Sequence, residues 1–121
     1  MAIAHHNLGF TAAAGERHDE AVASFQSALQ IYADLGADGA RTTNTRCHLA
    51  ASLLVLNRRE EARALLCTAL SGLTPSLEKR FGAELLRVGE TLLDRPVAAT
   101  DAPLPEALSA LARALDCQNP A

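Results

Sequence analysis

Small and apolar residues fall at three- and four-residue steps through "NLGFTAAAGERHDEAVASFQSAL" at 7–29, the spacing of an amphipathic helix pair. The same order returns in "HLAASLLVLNRREEARALLCTAL" at 48–70. Gly9 pairs with Ala50, Ala21 with Ala62, Phe25 with Leu66 and Ala28 with Ala69, every pair 41 residues apart. Leu8 and Leu49 precede the first pair, Ala12 and Leu53 follow it by three, and the acidic pairs Asp19-Glu20 and Glu60-Glu61 stand just before Ala21 and Ala62. Four matched positions with matched flanks indicate a helical hairpin written twice. Small residues at Gly9, Ala21, Ala28 and their copies let helix axes approach closely, and Phe25 and Leu66 fill the gap between hairpins. The competing reading is an Ala-rich four-helix bundle whose spacing is coincidental.

Beyond the second copy, Leu77, Phe81, Leu85, Val88 and Leu92 mark one amphipathic helix, with Thr74 placed to cap it and Pro75 at its first position. Val88-Gly89-x-x-Leu92 writes the Leu-Gly step a third time, so this helix is read as the first helix of another hairpin. A Pro- and Ala-containing break at 95–103 precedes a last helix marked by Leu104, Leu108, Leu111 and Leu115. Glu106-Ala107, Leu111 and Ala114 echo the second-helix pattern at a spacing of 45, so the third unit is degenerate, as the end of a stacked array usually is. The pattern predicts one domain over 1–117, with a first unit at about 2–36, a second at about 40–72, a degenerate unit or cap at about 75–117, and a frayed tail at 118–121.

Leu8-Gly9 with Ala21, Phe25 and Ala28, and Leu49-Ala50-x-x-Leu53 with Ala62, Leu66 and Ala69, resemble the tetratricopeptide repeat. The family's usual unit is 34 residues. The surplus of 7 here is about two helical turns, which lengthens helices without rotating their packing faces. His5 and Arg46 stand where the family usually has a large aromatic, Glu16 replaces the turn glycine, and Ala33 occupies the usual closing proline position. The resemblance implies an all-α fold, a right-handed superhelix of antiparallel helical hairpins with about six helices. It also implies an inner groove lined by the first helix of each unit. Carried over by position, that surface is Ile3, His6, Phe10 and Ala13, then Asn44, Cys47, Ala51 and Leu54, then Ala83, Leu86 and Glu90. Phe10 and Leu54 are equally open to a reading as core, or as residues covered by another subunit. The Lys and Asn with which some relatives hold a peptide's C-terminal carboxylate are unmatched, because His6 and Phe10 occupy the first two of those positions.

Charge and composition narrow the classes. Eleven basic against 14 acidic side chains give a formal charge of −3, which provides no strong attraction for a polyanion, so nucleic acid is not expected as a direct partner. The start "MAIAHHNLGF" lacks the basic and apolar regions of a signal peptide, and the apolar run at Leu53–Leu56 is too short for a bilayer, so a cytoplasmic protein with no membrane partner is expected. Cys47, Cys67 and Cys117 are an odd number at wide spacing inside helical patterns and are read as reduced, core-forming thiols without a disulfide framework. His5-His6, His18 and Cys47-His48 are the only metal-like clusters, but adjacent helical residues point about 100° apart, so neither a metal site nor a Cys-His dyad is expected. No phosphate loop, Gly-x-Ser-x-Gly or His-Glu-x-x-His is present, so neither enzymatic activity nor a cofactor is expected. Glu60 with Arg63, and Glu84 with Arg87, read as a solvated face, and Arg59 as a surface residue whose substitution does little.

The function this implies is a scaffold that binds a protein or peptide, with the sensor or assembly part of a bacterial regulator as its setting. A self-associating structural module and a small-ligand-binding helical bundle remain the alternatives. Because the first helix starts near Met1, Ile3, Leu8 and Phe10 are expected to form an apolar N-terminal edge, sealed in a homodimer.

Overall fold

Helices α1 (Ala2–Ala14), α2 (His18–Asp34), α3 (Ala40–Val55), α4 (Arg59–Ser71), α5 (Pro75–Leu93) and α6 (Leu104–Ala114) make up an all-α architecture in the computed structural model. The structure describes residues 2–36 and 39–117, without the side chains of residues 2 and 3, so Ile3 as a groove residue and the 118–121 tail lie outside the described residues. Consecutive helices pack as hairpins, α1 on α2, α3 on α4 and α5 on α6; the first helices α1, α3 and α5 also neighbour one another in order.

The first and third hairpins close around a glycine facing a large side chain. A Cβ added at Gly9 would lie 2.7 Å from the Phe25 ring, and one at Gly89 would lie 2.5 Å from Leu111, so these helices approach as only glycine permits. Phe25, Leu66 and Leu111, the three residues that recur in the second helices, are each 0% exposed. Burying a side chain of this size contributes about 1.5–3 kcal/mol. Ala21, Ala50 and Ala62 are sealed beside them, and one continuous core runs from Ala12 through Leu53, Leu66 and Leu85 to Leu115.

The turns repeat as closely as the core does. At the end of α1 the Arg17 N–H donates to the Ala12 carbonyl at 2.7 Å and Glu16 N–H to Ala13 at 3.0 Å; at the end of α3 Arg58 donates to Leu53 at 2.8 Å and Asn57 to Leu54 at 3.0 Å. Glu16 (φ 63°) and Asn57 (φ 60°) supply the left-handed residue that this paired-bond helix ending needs. Asp94 and Asp116 do the same after α5 and α6. Arg17 and Arg58 then begin the next helices and pair with Glu20 and Glu61, at 3.2 and 2.7 Å. Thr74 caps α5 as expected, its Oγ1 accepting from Leu77 N–H, with Pro75 at the first position.

Two expectations are corrected here. Arg59 is not a spectator, because its guanidinium donates to the Leu92 carbonyl in the last turn of α5, and Arg63 one turn on donates to the Leu115 carbonyl at 2.7 Å. These α4 cations satisfy carbonyls that helix ends leave without partners. Nor are all cysteines reduced: Cys67 and Cys117, separated by 50 residues, form a disulfide with Cα atoms 5.2 Å apart. The odd count misled because the unpaired thiol is Cys47, buried in α3, while Cys67 lies one turn beyond Arg63 on the face of α4 that meets the end of α6.

Candidate functional site

Three first helices side by side form one face, and α3 is its centre. Asn44, Cys47, Ala51 and Leu54 share a stripe of α3 because they follow steps of three and four residues. The structure places the described groove residues in two clusters on this face and in a third hollow away from it.

At the α1 end, His6, Phe10, Phe25 and His48 gather as four rings. Phe10 meets His48 edge-on at 5.3 Å, His48 stacks on Phe25 at 6.0 Å, and the two imidazoles lie 5.7 Å apart. Phe25 is sealed beneath, while Phe10 is 53% exposed and presents its ring to solvent. His6 Nδ1 lies 2.8 Å from Thr45 Oγ1, whose hydroxyl donates to the Arg41 carbonyl at 2.8 Å. Thr45 has one hydroxyl proton and commits it there, so it accepts from His6, which fixes the neutral ring as the Nδ1–H tautomer. Burial and then the neighbouring His48 lower the His6 pKa; burial is also the main cause lowering His48, opposed by Glu84 and assisted by Arg87. His6 and Asn44 also line a pocket of about 180 Å³ with Tyr32 and Arg41.

Between α3 and α5, Ala51 and Leu54 line a slot of about 340 Å³ with Val55, Arg87, Val88 and Thr91. Val55 is 63% exposed, so the slot has an apolar side chain open to solvent on its wall. Arg87 pairs with Glu84 at 2.5 Å along the rim. Cys47 is buried nearby and its thiol is pushed up to about 11, chiefly by burial and then by Glu84, so it packs as a neutral group. Ala13 is half-buried against the core.

Leu86 and Glu90 sit apart from both clusters. They line a third hollow with the 96–104 connection, where Glu90 accepts the Val97 N–H at 3.0 Å. Ala83 is exposed on α5. Leu86 and Glu90 lie one residue out of phase with the face of α5 that borders α3, which carries Arg87, Val88 and Thr91. The third unit's irregular spacing left no signal for that rotation. The angular separation of adjacent helical residues, which argues against His48 and Cys47 as a chelate, says nothing about ring packing. Among the described residues, no three His, Cys, Asp or Glu side chains gather as ligands for a metal ion, and no helix is long and apolar enough to cross a membrane.

The site therefore offers an exposed aromatic edge at Phe10, an apolar slot floored by Leu54 and Val88, and a guanidinium on the rim. A family model described as tetratricopeptide repeat matches residues 1–74, the span of α1 to α4. No curated protein and no solved structure matches the chain.

Proposed function

The chain belongs to the tetratricopeptide repeat family, whose repeats generally mediate protein–protein interactions, and from that premise we propose that it holds an extended segment of a partner protein along α1, α3 and α5. The observation that carries this reading is the α3–α5 slot, where Val55 stays exposed beside Leu54 and Val88 in a chain that buries most of its large apolar residues. A partner side chain entering there removes apolar area from water at roughly 25 cal/mol per Å². The role is a cytoplasmic binding scaffold without catalysis, metal, cofactor or direct nucleic-acid contact, serving as the sensor or assembly part of a bacterial regulator.

A photo-crosslinking residue placed at Val55 should capture a defined partner from the source cell, and one placed at Gln26 on the outer face of α2 should not. Leu54→Glu should reduce that capture about tenfold while leaving the melting temperature close to that of the parent. Equal capture from both positions would sink the groove reading.

Self-association is the second reading, favoured by Leu8, which is 60% exposed on α1. Leu8 and Phe10 are two residues apart and so project about 200° apart around the helix; they cannot form one patch. Phe10 borders the groove through its contact with His48, and a homodimer would use the Leu8 flank. Sedimentation of the parent across micromolar concentrations, compared with Leu8→Glu, decides it: a parent that is already monomeric rules the dimer out.

A further inference from the structure

We infer that Cys67 and Cys117 form a modification site, a reversible thiol–disulfide latch that exchanges with a low-molecular-weight thiol of the glutathione class and sets whether the end of α6 is locked onto α4. Helix α6 has 11 residues and follows α5 after the 94–103 connection, too short to be stable unless docked. Its docking has two independent parts. Along its length, Leu104 and Leu108 pack at Gly82 and Leu111 at Gly89. At its end, α4 holds it through Arg63, whose guanidinium donates to the Leu115 carbonyl at 2.7 Å, and one turn further on through the disulfide.

Opening the disulfide leaves the first part and the Arg63 contact intact, so α6 keeps a docked state without it. What is released is the turn that carries Cys117. That turn carries Asp116 at φ 60° and the Cys117 N–H bond to the Ala112 carbonyl at 3.0 Å, the same ending that closes α1, α3 and α5 without a disulfide, so it does not need the S–S bond in order to form and the pair can open without unfolding the helix end. Both cysteines are half-buried, within reach of a small thiol. The third, Cys47, is buried in α3 and its raised thiol pKa keeps it from competing.

The exchange balances with two equivalents of the small thiol. The first thiolate attacks Cys67 Sγ, forming a mixed disulfide while Cys117 leaves as a thiolate and takes a proton. A second small thiolate attacks the sulfur that the first one contributed, releasing the small-molecule disulfide and the Cys67 thiolate, which is protonated in turn. Two electrons pass from the small thiols to the protein pair, and the small-molecule disulfide drives the reverse reaction.

The test uses the full chain equilibrated in a series of reduced and oxidised glutathione mixtures, quenched with acid, alkylated and weighed. The expected result is a smooth passage from one free thiol to three across the series. In the reduced protein, amide exchange in α6 should rise about tenfold while α3 is unchanged, and the melting temperature should fall by about 10 °C. Cys117→Ser has no disulfide to open, so its Cys67 thiolate should attack oxidised glutathione, releasing one reduced glutathione and holding a glutathionyl adduct in the oxidising mixtures, and the chain should show the reduced exchange pattern in every mixture. A pair that stays oxidised throughout is a fixed staple and overturns the inference. So do three free thiols in every mixture, unchanged α6 exchange on reduction, or a Cys117→Ser chain that takes up no adduct.

Discussion

Gly9 lies where a single added carbon would meet the Phe25 ring at 2.7 Å, and that ring is sealed on all sides, so neither partner has room to move. Gly9→Leu and Ala62→Leu should each cost roughly 1–3 kcal/mol in thermal melting, the range for overpacking a close helix contact. Leucine variants as stable as the parent would mean that the helices can separate there. The imidazoles behave differently because their response is set by pH. Burial lowers the pKa of both His6 and His48, so between the unfolded value near 6.5 and the lower folded values the unfolded chain binds more protons. The stability they contribute is present above about pH 6.5 and is lost as pH falls through the folded pKa values. Chemical denaturation at pH 7.5 and 5.5 should show a loss on acidification that shrinks in a His6→Gln, His48→Gln double variant. These positions also mark what sequence could and could not disclose. Gly9 was readable because its role depends on local spacing. His48 was not, because its value lies in rings contributed by α1 and α2 that no sequence step brings near it.

At the scale of the helices, the endings carry their own energetics. Glu16 and Asn57 occupy equivalent left-handed positions, but asparagine tolerates that conformation far better than glutamate. Glu16→Gly should therefore stabilise by roughly 0.5–1 kcal/mol, while Asn57→Gly changes little. Equal shifts in the two melting curves would show that the turn is not under strain at Glu16. The α4 arginines divide in a similar way. Arg63→Ala should cost about 1 kcal/mol by orphaning the Leu115 carbonyl, whereas Arg58→Ala, which removes only a pair with Glu61 in solvent, should leave the midpoint unchanged. A neutral Arg63→Ala would refute the capping role. The hairpins themselves were legible, since Gly9, Phe25, Ala50 and Leu66 repeat in register. The α4-to-α6 fastening was not, because Cys67 and Arg63 look like ordinary core and surface residues until the end of a helix about 50 residues later is laid against them.

Across the whole molecule, the two copies within 1–74 give a regular frame, and the third hairpin departs from it in spacing, in its connection and in how its end is fastened. This is why Leu86 and Glu90 left the expected surface while Ala51 and Leu54 stayed on it: a face inherited by counting drifts once the count changes. The close contacts survived the drift. Gly9 opposite Phe25 and Gly89 opposite Leu111 keep one rule, a glycine wherever a buried large side chain comes up against the facing helix. The hairpins are consequently not interchangeable parts. Transplanting a helix that carries alanine in place of Gly9 or Gly89 would drive a methyl group into the Phe25 ring or the Leu111 side chain. Each pair is a private fit, and among descendants of this sequence the two members should covary, a larger residue at Gly9 or Gly89 appearing only with a smaller one at Phe25 or Leu111.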